Sequence, residues 1–142
     1  MSLRMILLLI AISFPAFASI ATADDLRIAN GRISMPIGGE DPTVFFVIQS
    51  KSKETRTIVG ASSPRSESVS IRRTAIVEGQ WGSEAMPDGM AIPPGGAVAF
   101  APRGLFLRMM SADRLATGDV VPITLKFANG ESVSFDAVAT DD

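Results

Sequence analysis

"VVPITLKFANGESVSFDAVA", residues 120–139, decides the fold. Apolar side chains recur at every second position: Val121, Ile123, Leu125 and Phe127 in the first half, Val133, Phe135 and Ala137 in the second. A period of two sets these residues on one face of a half-buried strand, where a helix would need a period of 3.6. Asn129-Gly130 between the halves is the turn chemistry of a β-hairpin. Pro122 has no backbone N–H to donate, which suits an edge position or the first residues of a strand.

Outward from this hairpin the same period returns. "TVFFVIQS", residues 43–50, is apolar on both faces, as a central strand covered on two sides would be. "TIVGAS", "ESVSIRRT", "GMAIPP" and "AVAF" follow between Gly, Pro, Asn and Ser clusters. Only "SADRLATGD", residues 111–119, leaves room for a turn of helix. Many short strands separated by turn signals predict an all-β domain, an antiparallel Greek-key β-sandwich or a barrel, and of these a sandwich is expected here. The chain shows no internal repeats, low-complexity tracts or linkers.

The first residues address the compartment. Arg4 precedes an apolar run of about ten residues and then Ala21-Thr22-Ala23, the pattern of a secretory signal peptide over residues 1–23 cleaved after Ala23. The run is well short of the ~20 residues a membrane span needs. A periplasmic single domain over residues 24–142 is therefore expected, with no membrane span in the mature chain. Arg4 is the only charge in the leader, so the formal net charge of −2 becomes −3 on its removal, which gives no electrostatic footprint for nucleic acid. Cysteine and histidine are absent, as is tyrosine. Disulfides, thiol catalysis, thiolate metal sites and covalent haem are excluded by composition, and the side-chain bases shrink to Asp, Glu and Lys. No nucleophile and base pair stands out, so an enzyme is not expected.

"GLFLRMMSA", residues 104–112, is a strand by the same rule. Alternation sends Leu105, Leu107 and Met109 to one face and Phe106, Arg108 and Met110 to the other. Two adjacent methionines on a regular strand cannot share one ion, and Met109 reads as a core residue.

The order of motifs now resembles a known family. "GASSP" (60–64), "VSIRRT" (69–74), "IPPGG" (92–96), "APRGLFLRMM" (101–110) and "GDVVPITLKF" (118–127) follow the order and approximate spacing of periplasmic copper chaperones of the PCu(A)C type. "TVFFVIQSKS" matches fairly well and "NGRISMP" more weakly. The resemblance implies a cupredoxin-like β-sandwich that carries Cu(I) and delivers it to respiratory oxidase assembly. It implies four ligands: a histidine on the strand after GASSP, a methionine ahead of IPPGG, and a His-x-Met pair on the strand after the Pro-Gly-rich turn. None is present. Arg72 stands at the first histidine, Ser83 or Glu84 at the distant methionine, and Phe106 and Arg108 at the His-x-Met pair.

Because the family's ligands converge, Arg72 and Arg108 are expected close together. At ~5 Å and an effective dielectric near 20, each guanidinium would oppose a monovalent metal ion by about 3 kcal/mol, roughly two decades of affinity. One reading places a carboxylate between them, Glu84 first with Glu78 and Asp88 in reserve, as an Arg72–Glu84–Arg108 cluster. A second makes them a solvated face. A third leaves them to an external anion or an acidic partner, with Arg73 and Arg103 enlarging the patch. Met86, Met90 and Met110 offer three thioethers that suit Cu(I), or else fill gaps over the open end of the fold. Trp81 and Phe106 form an exposed aromatic contact or part of the core rim. The expected protein is a non-enzymatic, divergent family member without the copper site and with no resident cofactor, docking to a periplasmic metalloenzyme-assembly partner. A methionine-only Cu(I) carrier and a plain interaction module with an arginine patch are the alternatives.

Overall fold

The computed structural model describes residues 21–23 and 25–141. The expected leader lies outside the described residues except for its last three. Eleven strands follow in chain order: β1 (Ala21–Ala23), β2 (Leu26–Ser34), β3 (Thr43–Ser50), β4 (Arg56–Ser62), β5 (Ser66–Val77), β6 (Gln80–Ala85), β7 (Met90–Ile92), β8 (Ala97–Phe100), β9 (Leu105–Ala112), β10 (Val120–Phe127) and β11 (Ser132–Thr140). No helix occurs among the described residues, so none is long and apolar enough to cross a membrane. Residues 111–119 complete β9 and then turn, with Asp119 N donating to Ala116 O at 3.0 Å and Ala116 N to Asp119 Oδ2 at 2.8 Å, in place of a helical turn.

The β10–β11 hairpin pairs Val121 with Ala137, Ile123 with Phe135 and Leu125 with Val133, and all six are buried. Gly130 closes its turn at φ 88°, in the left-handed region that costs glycine nothing, while Glu131 N donates to Asn129 Oδ1 at 3.0 Å. Pro122 pairs with Asp136 in β11, and the pairing of β10 with β4 begins only at Thr124. Its missing N–H therefore falls where β4 supplies no acceptor.

The strands form one sheet in the order β6-β5-β9-β8-β3-β2-β11-β10-β4-β7, and β4 also pairs with β5 through Ala61 and Val69. That pairing closes the sheet on itself, so a barrel stands where two separate sheets were expected. The link between these two strands is short, residues 63–65, and within it Ser66 N donates to Ser63 O at 3.3 Å, so β4 and β5 leave the turn side by side. Nor is the sheet purely antiparallel: β11 runs parallel to β2, and β8 meets β9 in parallel at Phe100 and Leu105.

β3 lies in the middle, bonded to β2, β8 and β9. Val44, Phe46 and Ile48 point into the core, where Phe46 stacks on Phe100 at 4.3 Å and meets Phe135 at 4.8 Å. Its other face carries no second layer of elements among the described residues. Phe45 is covered instead by the Arg32 guanidinium, 4.9 Å from the ring centroid. In β9, Leu107 and Met109 are fully buried and Leu105 packs against the core, as alternation requires.

Candidate functional site

The outer face of β5, β6 and β9 carries the residues singled out by the sequence. Ile71 is buried in the core, so its neighbours Ser70 and Arg72 turn outward. Register then sets Met110 opposite Ser68, Arg108 opposite Ser70 and Phe106 opposite Arg72 on the β9 side. On the β6 side Thr74 faces Ser83 and Ile76 faces Trp81. Directly paired residues share a sheet face, so one continuous stripe runs from Met110 past the two arginines to Trp81.

Arg72 and Arg108 are diagonal neighbours across β5 and β9, a relation that holds backbones ~7–8 Å apart. No carboxylate bridges them among the described residues. Arg72 Nε donates to Ser83 Oγ at 2.9 Å and its Nη2 to Ser83 O at 3.1 Å. Arg108 Nε donates to Asp41 Oδ2 at 2.8 Å, forming a half-exposed ion pair. An open cavity of about 480 Å³ lies here, lined by Glu40, Asp41, Thr43, Ser83, Phe106 and Arg108 among others.

Glu84 does not join the two arginines. It is the direct partner of Arg73 and makes an ion pair with it on the opposite face of the β5–β6 hairpin. Alternation is the reason: Ser83 shares the face of Arg72, and its neighbour must point away. Of the two positions offered for the distant methionine, Ser83 therefore lies on the site face. Glu78 sits exposed at the hairpin tip with φ 52°, and Asp88 is exposed in the β6–β7 turn, so neither reserve reaches the arginines. Arg103 is exposed in the turn before β9, which Thr74 N holds by donating to Gly104 O at 2.9 Å.

The three methionines do not converge. Met86 and Met90 pack against the core, while Met110 is 41% exposed on the outer face. Among the described residues no group of three or more Asp, Glu, His or Cys is placed to hold a metal ion. Trp81 is 75% exposed, whereas Phe106 is half-buried, and Arg72 and Ser83 occupy the register positions that separate them.

Asp41 and the neighbouring Glu40 join the site without a signal in the sequence. "GGEDP", residues 38–42, looks like any polar loop, and nothing in its pattern points to Arg108. Ser70 completes the site: its Oγ is covered and has no hydrogen-bond partner.

Residues 26–139 match the family model of the LpqE-like lipoproteins. No curated protein sequence matches the chain significantly. Among solved structures it is similar to the copper-bound PCuAC domain from PmoF2, with TM-score 0.70 and 17% identity over 87% of this chain and 99% of that one. The apo PCuAC domain from PmoF1 gives TM-score 0.71 and 17% identity over 87% of this chain and 100% of that one. CuI-DR1885 from Deinococcus radiodurans gives 0.65 and 24% identity over 80% of this chain and 76% of that one. At these identities the likeness is one of fold.

Proposed function

The chain belongs to the LpqE-like family, and on that premise we propose that it is an exported, non-enzymatic docking protein that keeps the PCuAC fold without the copper site. The observation that carries this reading is the pair Arg72 and Arg108 on one outer face, each held by hydrogen bonds at a position that the family resemblance assigns to a metal ligand. Asp41 offsets the charge of Arg108. Among the described residues Arg72 bonds only neutral Ser83 oxygens, so its charge stays uncompensated within the site. Across ~5 Å at an effective dielectric near 20, that single guanidinium opposes Cu(I) by about 3 kcal/mol. Phe106 and Ser83 add no soft donor.

A periplasmic protein acting beside metalloenzyme assembly is the corresponding proposal for its location and partner.

A Cu(I) competition titration of the purified protein tests this. No submicromolar binding is expected. Stoichiometric tight binding that survives replacement of Met86, Met90 and Met110 would overturn the proposal. Binding abolished by those replacements would establish the methionine-only carrier instead.

A further inference from the structure

β6 ends the strand order, and among the described residues only β5 pairs with it. Met86 N donates to Ile71 O at 3.0 Å, and Thr74 N donates to Gly104 O on the β9 side at 2.9 Å. These bonds set the alternation of an antiparallel ladder: Arg73 turns its backbone groups toward β6, and Arg72 and Thr74 turn theirs toward β9. On β6 it follows that Gly82 and Glu84 bond to β5, while the N–H and C=O groups of Trp81, Ser83 and Ala85 face the open edge. Natural sheets blunt such edges with Lys, Pro or a bulge. β6 has no Lys, Pro or bulge: its sequence is QWGSEA, and all six residues pair in regular register. Its one charge, Glu84, points with Arg73 to the other face, and of the edge groups the Ser83 carbonyl is covered by Arg72.

The outer face beside this edge is apolar at one end and cationic at the other. Ile76 is 65% and Trp81 75% exposed, and the two are direct cross-strand partners. Arg72 lies two pairs further along, half-buried and bonded to Ser83 rather than to a carboxylate. Ser70 Oγ, on the same face between the two arginines, is a covered hydroxyl with no partner.

We propose that an extended acidic segment of a partner polypeptide adds to the open edge of β6, setting a carboxylate against Arg72 and an apolar side chain against Trp81 and Ile76. The inference rests on the docking role proposed above and specifies its partner. Main-chain bonds to Trp81 and Ala85 and to the Ser83 N–H would supply affinity, the Ser83 carbonyl being already engaged by Arg72, and side chains two residues apart would supply selectivity. Their spacing matches, since alternate residues of an added strand lie on one face. A second copy of this chain fits worse. Pairing β6 with itself about Ser83 would bring two uncompensated Arg72 guanidiniums together across the two-fold axis.

The chain holds one tryptophan, so its emission reports on this surface directly. The probe is a capped nine-residue peptide, TETVTETVT, titrated into the protein at low salt beside its counterpart TKTVTKTVT. The acidic peptide is expected to give a saturable change in Trp81 emission and the lysine peptide none. Arg72→Gln should weaken binding about tenfold or more, raised salt should weaken it further, and Arg27→Gln on β2 should leave it unchanged. N-methylation of alternate peptide amides should abolish binding to the unaltered protein, a result that does not depend on any variant folding. Equal responses to both peptides, indifference to N-methylation, or an Arg72→Gln variant that folds and binds normally would each overturn the proposal. So would sedimentation showing dimers that bury Trp81, or an emission change produced by phosphatidylglycerol vesicles and not by peptide. The copper titration is independent of these results, so failure here and failure of the metal-free reading are told apart.

Discussion

Single side chains decide what this site can hold. Arg72, Ser83, Phe106 and Arg108 share one outer face through the β5–β6 and β5–β9 registers. Replacing them with Arg72→His, Ser83→Met, Phe106→His and Arg108→Met supplies the four donors that the family resemblance calls for and removes the opposing charge. Cu(I) affinity, read by competition titration, should rise by at least about two decades over the unaltered protein, the gain expected from discharging Arg72 alone. The same set with Glu84→Met in place of Ser83→Met should fall well short, because Glu84 points with Arg73 to the other face. A result in which the two sets bind equally would show that the register does not select the ligand.

At the scale of elements, turns carry much of the specification. Gly89, between β6 and β7, has φ 78°, and an added Cβ would lie 2.0 Å from Ile58 O. Gly95, before β8, has φ 66° with open space around it. Gly95→Ala should cost ~1–2 kcal/mol for the left-handed conformation alone. Gly89→Ala should cost clearly more, since β4 and β7 must also move apart, and urea unfolding of the two variants measures the difference. The hairpin at residues 120–139 was legible because its apolar residues keep strict alternation on both sides of one turn. β6 was not, because QWGSEA has no apolar alternation to find. One signal was present: Glu78-Gly79 is a two-residue turn with φ values of 52° and 77°. Counting back from Val77 and Gln80 sets Thr74 opposite Ser83, so the choice between Ser83 and Glu84 lay within reach of turn chemistry. Asp41 did not, since its meeting with Arg108 depends on how a polar loop folds over the barrel.

For the molecule as a whole, Arg56 ties the start of the described domain to the β10–β11 turn. Its Nη2 donates to Asp25 Oδ2 at 2.9 Å and its Nη1 to Glu131 Oε2 at 2.5 Å. The hydrogen bond to Glu131, followed by the bond and charge of Asp25, raises the guanidinium pKa above its ordinary value against the opposing effect of desolvation. A raised pKa means that the stabilisation is fully present below the ordinary value and is lost only as pH rises through the higher folded one. That window lies far above neutrality. With no histidine or cysteine in the chain, no side chain ordinarily titrates between pH 6 and 8. The midpoint of thermal unfolding should therefore stay level across that range, and Arg56→Gln should lower it by a similar amount at both ends. A slope across the range that persists after acetylation of the α-amino group, which itself titrates near pH 8, would contradict this expectation.

The parallel pairing of β2 with β11, through Arg32 and Val138, also governs when the barrel can exist. These partners stand about a hundred positions apart, so the contact between them is among the most distant the chain can make. Loop closure on that scale is slow, and no stretch of local structure can stand in for it. Both strands must be in place before the last gap in the wall can be filled. Until that seam is made the wall stays open, however early the β5–β6 and β10–β11 hairpins form on either side of it.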